Sequence, residues 1–382
     1  MDNNSKKYII FGAGRYGEEA LIYHGVKNVA FFCDNHKVGK VIRGVEVIDF
    51  SKLCRIWWDY KVVLAVTNTK YKAEMQKQLE DAGIEYEHFY TMDSMLEKDN
   101  FYGEYKFINR SGEKEKLLIV LAGYKEFLWE SVFERIRKYV PEDFDVCVMT
   151  AGYESLALEE LCEKESWSYL YTVENKLSVT QNITIKVHPN AKWIFKIDED
   201  ILITPGLFDE LMDTYHFVSE EGKHAIGFVA PIMAVNSYGY RSVLESTSML
   251  EEYEQKYGAA VLGRGPITSD PDVAEYLWDK TLPINAFAEK VRRAEQKYSI
   301  CYHRYSIGCI LLPRNIWQAM GGFKTAPEGV LGVDEEYLCT WCMNRAYAFV
   351  IAQRAYAGHF AYGHQTERMK EMYQKRRREF DE

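Results

Sequence analysis

A repeated alternation of short apolar runs with segments of helical period constrains the fold of this chain most strongly. In the first hundred residues, each apolar run has the length of a buried strand and is followed by turn residues or by a helical pattern. The elements predicted in this part are strands at 8–11, 29–33, 45–48 and 61–66, and helices from the turn at 12–17 to about residue 23 and over 71–82. Such alternation predicts an α/β fold, in which helices pack on a parallel sheet.

The alternation is interrupted once, which indicates two domains. A chain of 382 residues is too long for one ordinary hydrophobic core, and charged and polar side chains dominate residues 92–116. A second series of elements follows, with strands at 117–121, 145–149 and 193–197 and helices near 127–139 and 156–164. We therefore predict a small domain over residues 1–97, a linker over 98–115 and a larger α/β domain over 116–382.

Charge and composition argue against several classes of protein. The formal net charge of −10 argues against nucleic acid as the main partner. No apolar run is long enough to span a bilayer, and the polar N-terminal residues lack the apolar segment of a secretion signal. The eight cysteines show no framework spacing, which fits a reducing compartment. We expect a cytoplasmic protein without a transmembrane segment, and a homo-oligomer stays open.

A basic run, Lys375-Arg376-Arg377-Arg378, lies on a predicted charged helix at the end of the chain. Such a run is more often a solvated helix end than a contact with a membrane surface. Peripheral contact with a membrane is therefore kept as an alternative.

An acidic triplet, Asp198-Glu199-Asp200, ends the apolar run that begins at Trp193. Because side chains alternate between the faces of a strand, Asp198 and Asp200 are expected to leave the strand on the same side. Paired carboxylates are suitable ligands for Mg²⁺ or Mn²⁺, which in turn bind the diphosphate of a nucleotide. The alternative is an ordinary acidic loop after a strand.

A glycine motif, Gly12-x-Gly14-x-x-Gly17, lies between the first predicted strand and the first predicted helix. Its glycines permit a tight turn and close backbone approach, and the helix N-terminus favours a phosphate group. Asp34 ends the second strand, where a carboxylate can accept a hydrogen bond from a ribose hydroxyl. The motif predicts a nucleotide bound to the small domain, and the alternative is a structural domain without a ligand.

Segments 11–14, 31–35, 39–40 and 44–47 of the small domain together carry a family resemblance. Over roughly the first 95 residues, the chain resembles the Rossmann-like domain found at the N-terminus of bacterial sugar O-acyltransferases of the PglD type and beside some glycosyltransferases and methyltransferases. It implies binding of a nucleotide or a nucleotide sugar, with no chemistry of its own.

The larger domain contains a series of short segments that together carry a family resemblance. They are Ala122-Gly123-Tyr124, Thr150-Ala151-Gly152, Asn175-Lys176, Gln181-Asn182, Asp198-Glu199-Asp200, Gly321-Gly322-Phe323, Asp334-Glu335 and Tyr356-Ala357-Gly358-His359. With this series, over most of residues 117–365, the domain resembles glycosyltransferases of the GT-A fold, the nucleotide-diphospho-sugar transferases, and is most similar to family 2.

This resemblance implies a metal-dependent enzyme that moves a sugar from a nucleotide-sugar donor, above all a UDP-sugar, to a hydroxyl of a glycan or lipid-linked acceptor in polysaccharide synthesis. Mn²⁺ or Mg²⁺ held by Asp198, Asp200 and His359 would neutralise the leaving diphosphate. Asp334 or Glu335 would take the acceptor proton in an inverting displacement. The implied donor-binding residues are Ala122, Gly123, Tyr124, Thr150, Asn175, Lys176, Asn182, Asp198 and Glu199.

Several secondary predictions concern the surroundings of this site. Lys176 or Arg264 could add positive charge near the phosphates, and His364 is a second candidate ligand. The glycines of segments 321–323 and 329–332 suggest a backbone that approaches a ligand closely.

The chain departs from family 2 in two respects. The acidic pair reads Asp334-Glu335 instead of Glu-Asp, and the segment between Asp200 and Gly321 is unlike that of the family. These departures leave the identity of the base and of the acceptor open. Three other functions also stay open. One is a sugar-nucleotide pyrophosphorylase, although residues 122–127 match the glycine- and arginine-rich loop of such enzymes poorly. The others are a dehydrogenase or epimerase that uses the N-terminal glycine motif, and a non-enzymatic module that senses nucleotides or nucleotide sugars.

Overall fold

The chain folds as two compact units, one within residues 1–99 and one within residues 100–382. Each unit has its own sheet with helices around it, and the α/β class predicted from the sequence is confirmed at this level. The computed structural model describes residues 6–89, 100–263, 265–325, 331–361 and 363–382.

The smaller unit contains a six-stranded, mostly parallel sheet. Its strands are β1 (Tyr8–Phe11), β2 (Val29–Cys33), β3 (Val41–Ile42), β4 (Val45–Ile48), β5 (Lys61–Leu64) and β6 (Tyr86–His88). They lie in the order β3-β4-β2-β1-β5-β6, and β3 alone of these strands runs antiparallel to its neighbour. The predicted strands at 8–11, 29–33 and 45–48 are confirmed. The strands β3 and β6 escaped prediction because two or three residues are too few to show a hydrophobic period.

Helices cover both faces of this sheet. They are α1 (Arg15–His24), α2 (Phe50–Cys54) and α3 (Thr69–Asp81). Because successive strand side chains point to opposite faces, Ile10 of β1 packs in one cluster with Leu21 of α1. Its neighbour Ile9 packs in a second cluster with Leu53 of α2 and Leu79 of α3.

The larger unit contains a ten-stranded mixed sheet. Its strands are β7 (Tyr105–Ile108), β8 (Lys116–Leu121), β9 (Phe144–Ala151), β10 (Ser168–Thr172), β11 (Trp193–Asp198), β12 (Ile201–Ile203), β13 (Ala225–Met233), β14 (Tyr298–Cys301), β15 (Cys309–Pro313) and β16 (Tyr347–His359). They lie in the order β12-β16-β13-β15-β11-β8-β9-β10-β7, with β14 paired to β16.

The centre of this sheet is parallel, as the alternation predicted. Strands β10, β9, β8 and β11 are parallel neighbours. The chain passes from β8 to β9 and β10 on one side and then places β11 on the other side of β8. Strand β15 is antiparallel to both β11 and β13, and the long strand β16 pairs with β13, β12 and β14. These additions make the sheet mixed.

Helices surround the large sheet, and several of them belong to the segment between Asp200 and Gly321, which is unlike that of family 2. The helices of this unit are α4 (Trp129–Tyr139), α5 (Leu156–Glu165), α6 (Leu177–Lys186), α7 (Leu207–Glu221), α8 (Tyr240–Ser246), α9 (Leu250–Tyr257), α10 (Pro271–Thr281), α11 (Ile284–Arg292), α12 (Arg314–Ala319), α13 (Val333–Met343) and α14 (Thr366–Asp381). Of these, α7 to α12 lie between Asp200 and Gly321.

The linker predicted over residues 98–115 is wrong for most of its length. Residues 105–108 form β7, which pairs antiparallel with β10 at the sheet edge. Just beyond it, the carboxylate of Asp145 accepts hydrogen bonds from the Ser111 hydroxyl and from the backbone N–H groups of Gly112 and Lys114. The charged composition misled the prediction because an edge strand exposes one of its faces to solvent.

The three arginines of the basic run on α14 are paired with acidic side chains. Arg376 contacts Asp279 and Glu379, Arg377 lies 2.8 Å from Glu130, and Arg378 lies 2.7 Å from Glu382. This local neutralisation favours the solvated helix end over membrane contact. Across the described parts of the chain, no helix combines the length and apolar character needed to cross a bilayer.

Two glycines of the motif at the start of α1 offer a test of the fold. We expect Gly17→Ala to destabilise the smaller unit by about 1–3 kcal/mol, because its Cβ would lie 1.9 Å from the Gly12 carbonyl oxygen. Gly14→Ala is the matched control, since a Cβ there meets no described atom within 4 Å, and it should cost less than about 1 kcal/mol. Urea denaturation measures the free energy of unfolding of each variant. Hydrogen exchange of residues 6–89 shows whether the change lies in the smaller unit. Equal destabilisation by the two variants would contradict this packing.

Candidate functional site

A cleft of about 460 Å³ lies at the carboxyl ends of β8 and β11. These two strands are neighbours, but the chain leaves them toward opposite sides of the sheet. In open α/β sheets, ligands bind outside the carboxyl ends of the strands at such a reversal of strand order. The topology therefore marks this cleft as the candidate site of the larger unit.

The cleft gathers many of the residues that the sequence predicted for a site. The predicted residues that line it are Tyr124, Asn175, Asp198, Glu199, Asp200, Asp334, Glu335 and His359. The predicted donor-binding residues outside its lining are Ala122, Gly123, Thr150, Lys176 and Asn182. Residues more than 200 positions apart in the chain therefore meet in one cavity.

Asp198, the last residue of β11, is paired with a lysine of the same strand. Its Oδ1 accepts a hydrogen bond of 2.6 Å from Lys196 Nζ, which also donates to the Ile307 carbonyl at 2.9 Å. The two side chains share a face because they are two residues apart on a strand. Burial raises the pKa of Asp198 to about 6, although Lys196 opposes the shift. Burial alone would lower the pKa of Lys196, but Asp198 and Asp334 raise it overall.

Asp200 is paired with a second lysine, from the loop after β8. Its Oδ2 accepts a hydrogen bond from Lys125 Nζ, which also donates to the Ala361 carbonyl at 3.1 Å. Burial would raise the pKa of Asp200, but the ammonium group of Lys125 outweighs it and lowers that pKa. Each outer carboxylate of the triplet thus has its own ammonium partner.

His359, at the end of β16, lies beside Asp200. Its Nε2 is 3.5 Å from Asp200 Oδ2, and its Nδ1 contacts the Val235 carbonyl oxygen. Burial lowers the pKa of His359, against the opposing charge of Asp200. The ring is therefore neutral at pH 7, with Nδ1–H as the donor to Val235. The second histidine of the sequence analysis, His364, contacts the Ser269 carbonyl at 2.8 Å and does not line the cleft.

Glu199, the middle residue of the triplet, holds the loop after β8. One carboxylate oxygen accepts hydrogen bonds from the backbone N–H groups of Tyr124 and Lys125, at 2.5 and 2.9 Å. The other accepts from the Gly123 N–H and from Trp129 Nε1, at 2.8 and 2.7 Å. Four donors satisfy this buried carboxylate. Its role is to position the loop, and the predicted direct contact with a donor does not fit this geometry.

The predicted metal ligands do not fit a divalent ion in this arrangement. Asp198 and Asp200 are each engaged by an ammonium group at hydrogen-bond distance. Within the described residues, no group of three or more His, Cys, Asp or Glu side chains is arranged to hold a metal. An ion at Asp200 and His359 would have to displace Lys125 from the Asp200 oxygen. Mn²⁺ or Mg²⁺ binding stays a prediction of the sequence.

The acidic pair at the start of α13 faces the same cleft. Asp334 is buried, and its Oδ2 accepts a 2.9 Å hydrogen bond from Gln181 Nε2. Glu335 accepts from Arg304 Nε at 2.6 Å and from the Ile307 backbone N–H at 3.3 Å. Described residues thus donate to both carboxylate oxygens of Glu335, but to one carboxylate oxygen of Asp334.

Two predicted donor-binding residues hold the fold instead. Asn182 is fully buried, donates to the Phe323 carbonyl and accepts from Trp317 Nε1 and the Phe323 N–H. Gly322 has a φ of +81°, and a Cβ there would lie 2.8 Å from Asn182 Oδ1, so this turn packs on protein. Thr150, also fully buried, donates to the Tyr153 carbonyl.

The remaining predicted residues lie near the mouth of the cleft. The Tyr124 ring is exposed, and its hydroxyl donates to Asn175 Oδ1 at 3.2 Å. Lys176 Nζ lies 2.6 Å from Glu174 and does not line the cavity. Ala122 and Gly123 contribute backbone to the loop that Glu199 holds. Arg264 and residues 326–330 lie outside the described residues.

Three residues at the site, Lys125, Lys196 and Arg304, were not predicted from the sequence, and Gln181 was named there as part of the family resemblance without a role. A signal existed for Lys196, which is two positions before Asp198 on a predicted strand and so had to share its face. Lys125, Gln181 and Arg304 meet the carboxylates only through tertiary contacts.

The smaller unit has a pocket of about 510 Å³ of its own at the same kind of strand reversal, where β2 and β5 flank β1. Gly12, Gly14 and Asp34 line it, whereas Gly17 does not. Asp34 accepts from the backbone N–H groups of Ala13 and His36, at 3.2 and 2.9 Å. The predicted ribose contact of Asp34 would have to compete with these bonds.

The role of Glu199 can be tested with Glu199→Gln. The glutamine NH₂ group would face backbone N–H groups that now donate to a carboxylate oxygen, and those donors would lose their acceptor. We therefore expect a loss of about 1–3 kcal/mol in the free energy of unfolding. Hydrogen exchange should increase over residues 122–129. Glu174→Gln, at an exposed pair with Lys176, is the control and should change neither quantity. Unchanged exchange at 122–129 would contradict the anchoring role.

Comparison with known proteins adds no assignment to this geometry. No protein-family model matches the chain, and a search of curated proteins finds no significant match. The function is therefore inferred from the residues of the cleft.

Proposed function

We propose that the larger unit is a glycosyltransferase that moves a sugar from a nucleoside-diphosphate sugar to an acceptor hydroxyl. The observation that carries this proposal is the meeting of ammonium groups and an acidic pair in one cleft at the strand reversal. Departure of a diphosphate needs positive charge, and activation of a hydroxyl needs a base. A donor sugar bound between the ammonium groups and the acidic pair would have both the positive charge and the base beside it.

The donor side of the cleft is its mouth at Tyr124 and Asn175. An exposed aromatic ring offers a flat surface for a nucleobase, and the neighbouring amide offers hydrogen bonds to its edge. A UDP-sugar is our proposal for the donor, and the choice of uracil rests on the resemblance to family 2. The acceptor is proposed, from the resemblance alone, to be a hydroxyl of a glycan or of a lipid-linked sugar.

The proposed general base is Asp334. Glu335 is engaged through both oxygens, by Arg304 and by a backbone N–H, which makes it suited to fixing the position of α13. Asp334 has one oxygen on Gln181 and faces the cavity, so within the described residues its Oδ1 is the better placed to take a proton. Inversion at the anomeric carbon follows if the acceptor hydroxyl that Asp334 activates attacks on the face opposite the diphosphate.

Asp334→Asn tests the base. The amide keeps the shape but removes the basicity, so turnover should fall about 10²-fold or more with little change in donor affinity. Release of nucleoside diphosphate from a panel of UDP-sugars with sugar acceptors is the measurement. Glu336→Gln, at the next exposed acidic position of α13, is the control and should keep wild-type turnover. Full turnover in Asp334→Asn would show that another group takes the proton.

We propose as a second function that the smaller unit binds a nucleotide or nucleotide sugar without reacting it. Gly12 and Gly17 are required by packing, because a Cβ on either would meet backbone oxygen within 2.3 Å. Gly14 has no such steric reason, yet it opens α1 and lines the pocket. Close approach of a ligand to the helix N-terminus would explain a glycine there.

This second function predicts two nucleotide sites per full-length chain. Titration calorimetry with UDP, UDP-sugars and NAD should give a stoichiometry of two for a nucleotide that both units bind. Gly14→Trp should remove one site sterically, while Gly14→Ala should keep both. If the stoichiometry is unchanged by Gly14→Trp, the pocket of the smaller unit is not a nucleotide site.

A further inference from the structure

We propose that the ammonium group of Lys125, and not a divalent ion, is the charge that meets the donor diphosphate in the cleft of the larger unit. This inference rests on the proposed function and deepens it. It starts from the misfit between the acidic triplet and a metal site.

The first observation is the position of Lys125 on Asp200. The ammonium donates to Asp200 Oδ2, and His359 Nε2 lies 3.5 Å from that same oxygen. A divalent ion bound through Asp200 and His359 would need this oxygen as a ligand. The ammonium therefore competes directly with such an ion for Asp200 Oδ2.

The second observation is that both outer carboxylates of the triplet are already paired with ammonium groups. Lys196 is paired with Asp198 and Lys125 with Asp200, whereas Glu199 accepts hydrogen bonds from N–H groups of the loop and from the indole of Trp129. Lys196 cannot easily withdraw, because its side chain is 3% exposed and also donates to the Ile307 carbonyl. A divalent ion bound through Asp198 and Asp200 would lie beside two ammonium groups held at hydrogen-bond distance from the same carboxylates, and like charges repel at such separations.

The third observation is that Lys125 is both fixed and accessible. Its backbone N–H donates to Glu199 at 2.9 Å, which holds the loop in place. Its side chain is 21% exposed and lines the cleft. An ammonium group has three donors, and described residues engage two of them, Asp200 and the Ala361 carbonyl. The third can meet a phosphate oxygen without loss of the existing contacts.

Lys125 and Lys196 thus have different roles. Lys196 neutralises Asp198 within the protein, whereas Lys125 is the cation that a donor can reach. As the acceptor oxygen bonds to the anomeric carbon and its proton passes to Asp334, the bond between that carbon and the diphosphate breaks, and its electron pair stays with the diphosphate oxygen. Lys125 stabilises the negative charge that develops there.

A metal-binding experiment on the full-length protein separates the two possibilities. We expect Mn²⁺ titrated into wild type to bind weakly, and Lys125→Ala to bind it at least about 10-fold more tightly, because Asp200 and His359 are then released. Lys125→Arg retains a cation and should behave like wild type. Circular dichroism and thermal unfolding establish that each variant is folded.

Two results of this experiment would overturn the inference. One is binding of Mn²⁺ to wild type as tight as, or tighter than, binding to Lys125→Ala. The other is weak binding to both, because the ammonium would then not be what excludes the ion.

A second measurement uses UDP as the probe, in the Gly14→Trp background so that the cleft alone is titrated. Removal of metals with EDTA should change the UDP dissociation constant less than about 2-fold, whereas Lys125→Ala should raise it at least about 10-fold. Lys192→Ala, at a surface pair with Glu115, is the control and should have no effect. Loss of UDP binding in EDTA overturns the inference and leaves the proposed function intact. Absence of binding by UDP, GDP and ADP with and without Mn²⁺ overturns both.

Discussion

The carboxylate of Glu199 is the contact on which the candidate site depends. It joins the loop after β8 to the end of β11 by accepting from three backbone N–H groups and the indole of Trp129. A charge-assisted acceptor with four donors is strong, and losing it would leave buried donors unsatisfied. Lys125 is positioned over Asp200 because the loop is held in this way.

Three carboxylates at the cleft are paired with side chains of opposite charge, and these pairs shape what the cleft can bind. Lys196 and Lys125 pair with the outer carboxylates of the triplet, and Arg304 pairs with Glu335. Elsewhere in the unit, buried Arg135 donates to the Ile203 carbonyl and to two carbonyls at the end of α14, which fastens that helix. An anionic ligand in the cleft would meet the ammonium group of Lys125, which the loop already holds in place.

Much of the fold could be predicted from local pattern, and much of the site could not. The strands β1, β2 and β4 and the parallel centre of the large sheet follow from hydrophobic runs. The edge strand β7 was mistaken for a linker because half of its surface is solvated. Asn182 and Gly322 were predicted to contact a ligand, but they contact protein groups. A sequence motif does not distinguish a glycine or amide that contacts a ligand from one that contacts the protein.

The sequence by itself determined the α/β class, the acidic ending of β11 and the shared face of Lys196 and Asp198, since these depend on periodicity along one segment. Tertiary structure alone decided that Lys125 reaches Asp200, that Glu199 holds a loop and that Asp334 lies beside Gln181. These contacts join residues 74 to 153 positions apart, and no local pattern encodes such a distance. This packing pairs Asp198 and Asp200 with ammonium groups, whereas the sequence predicted that these carboxylates bind a metal ion.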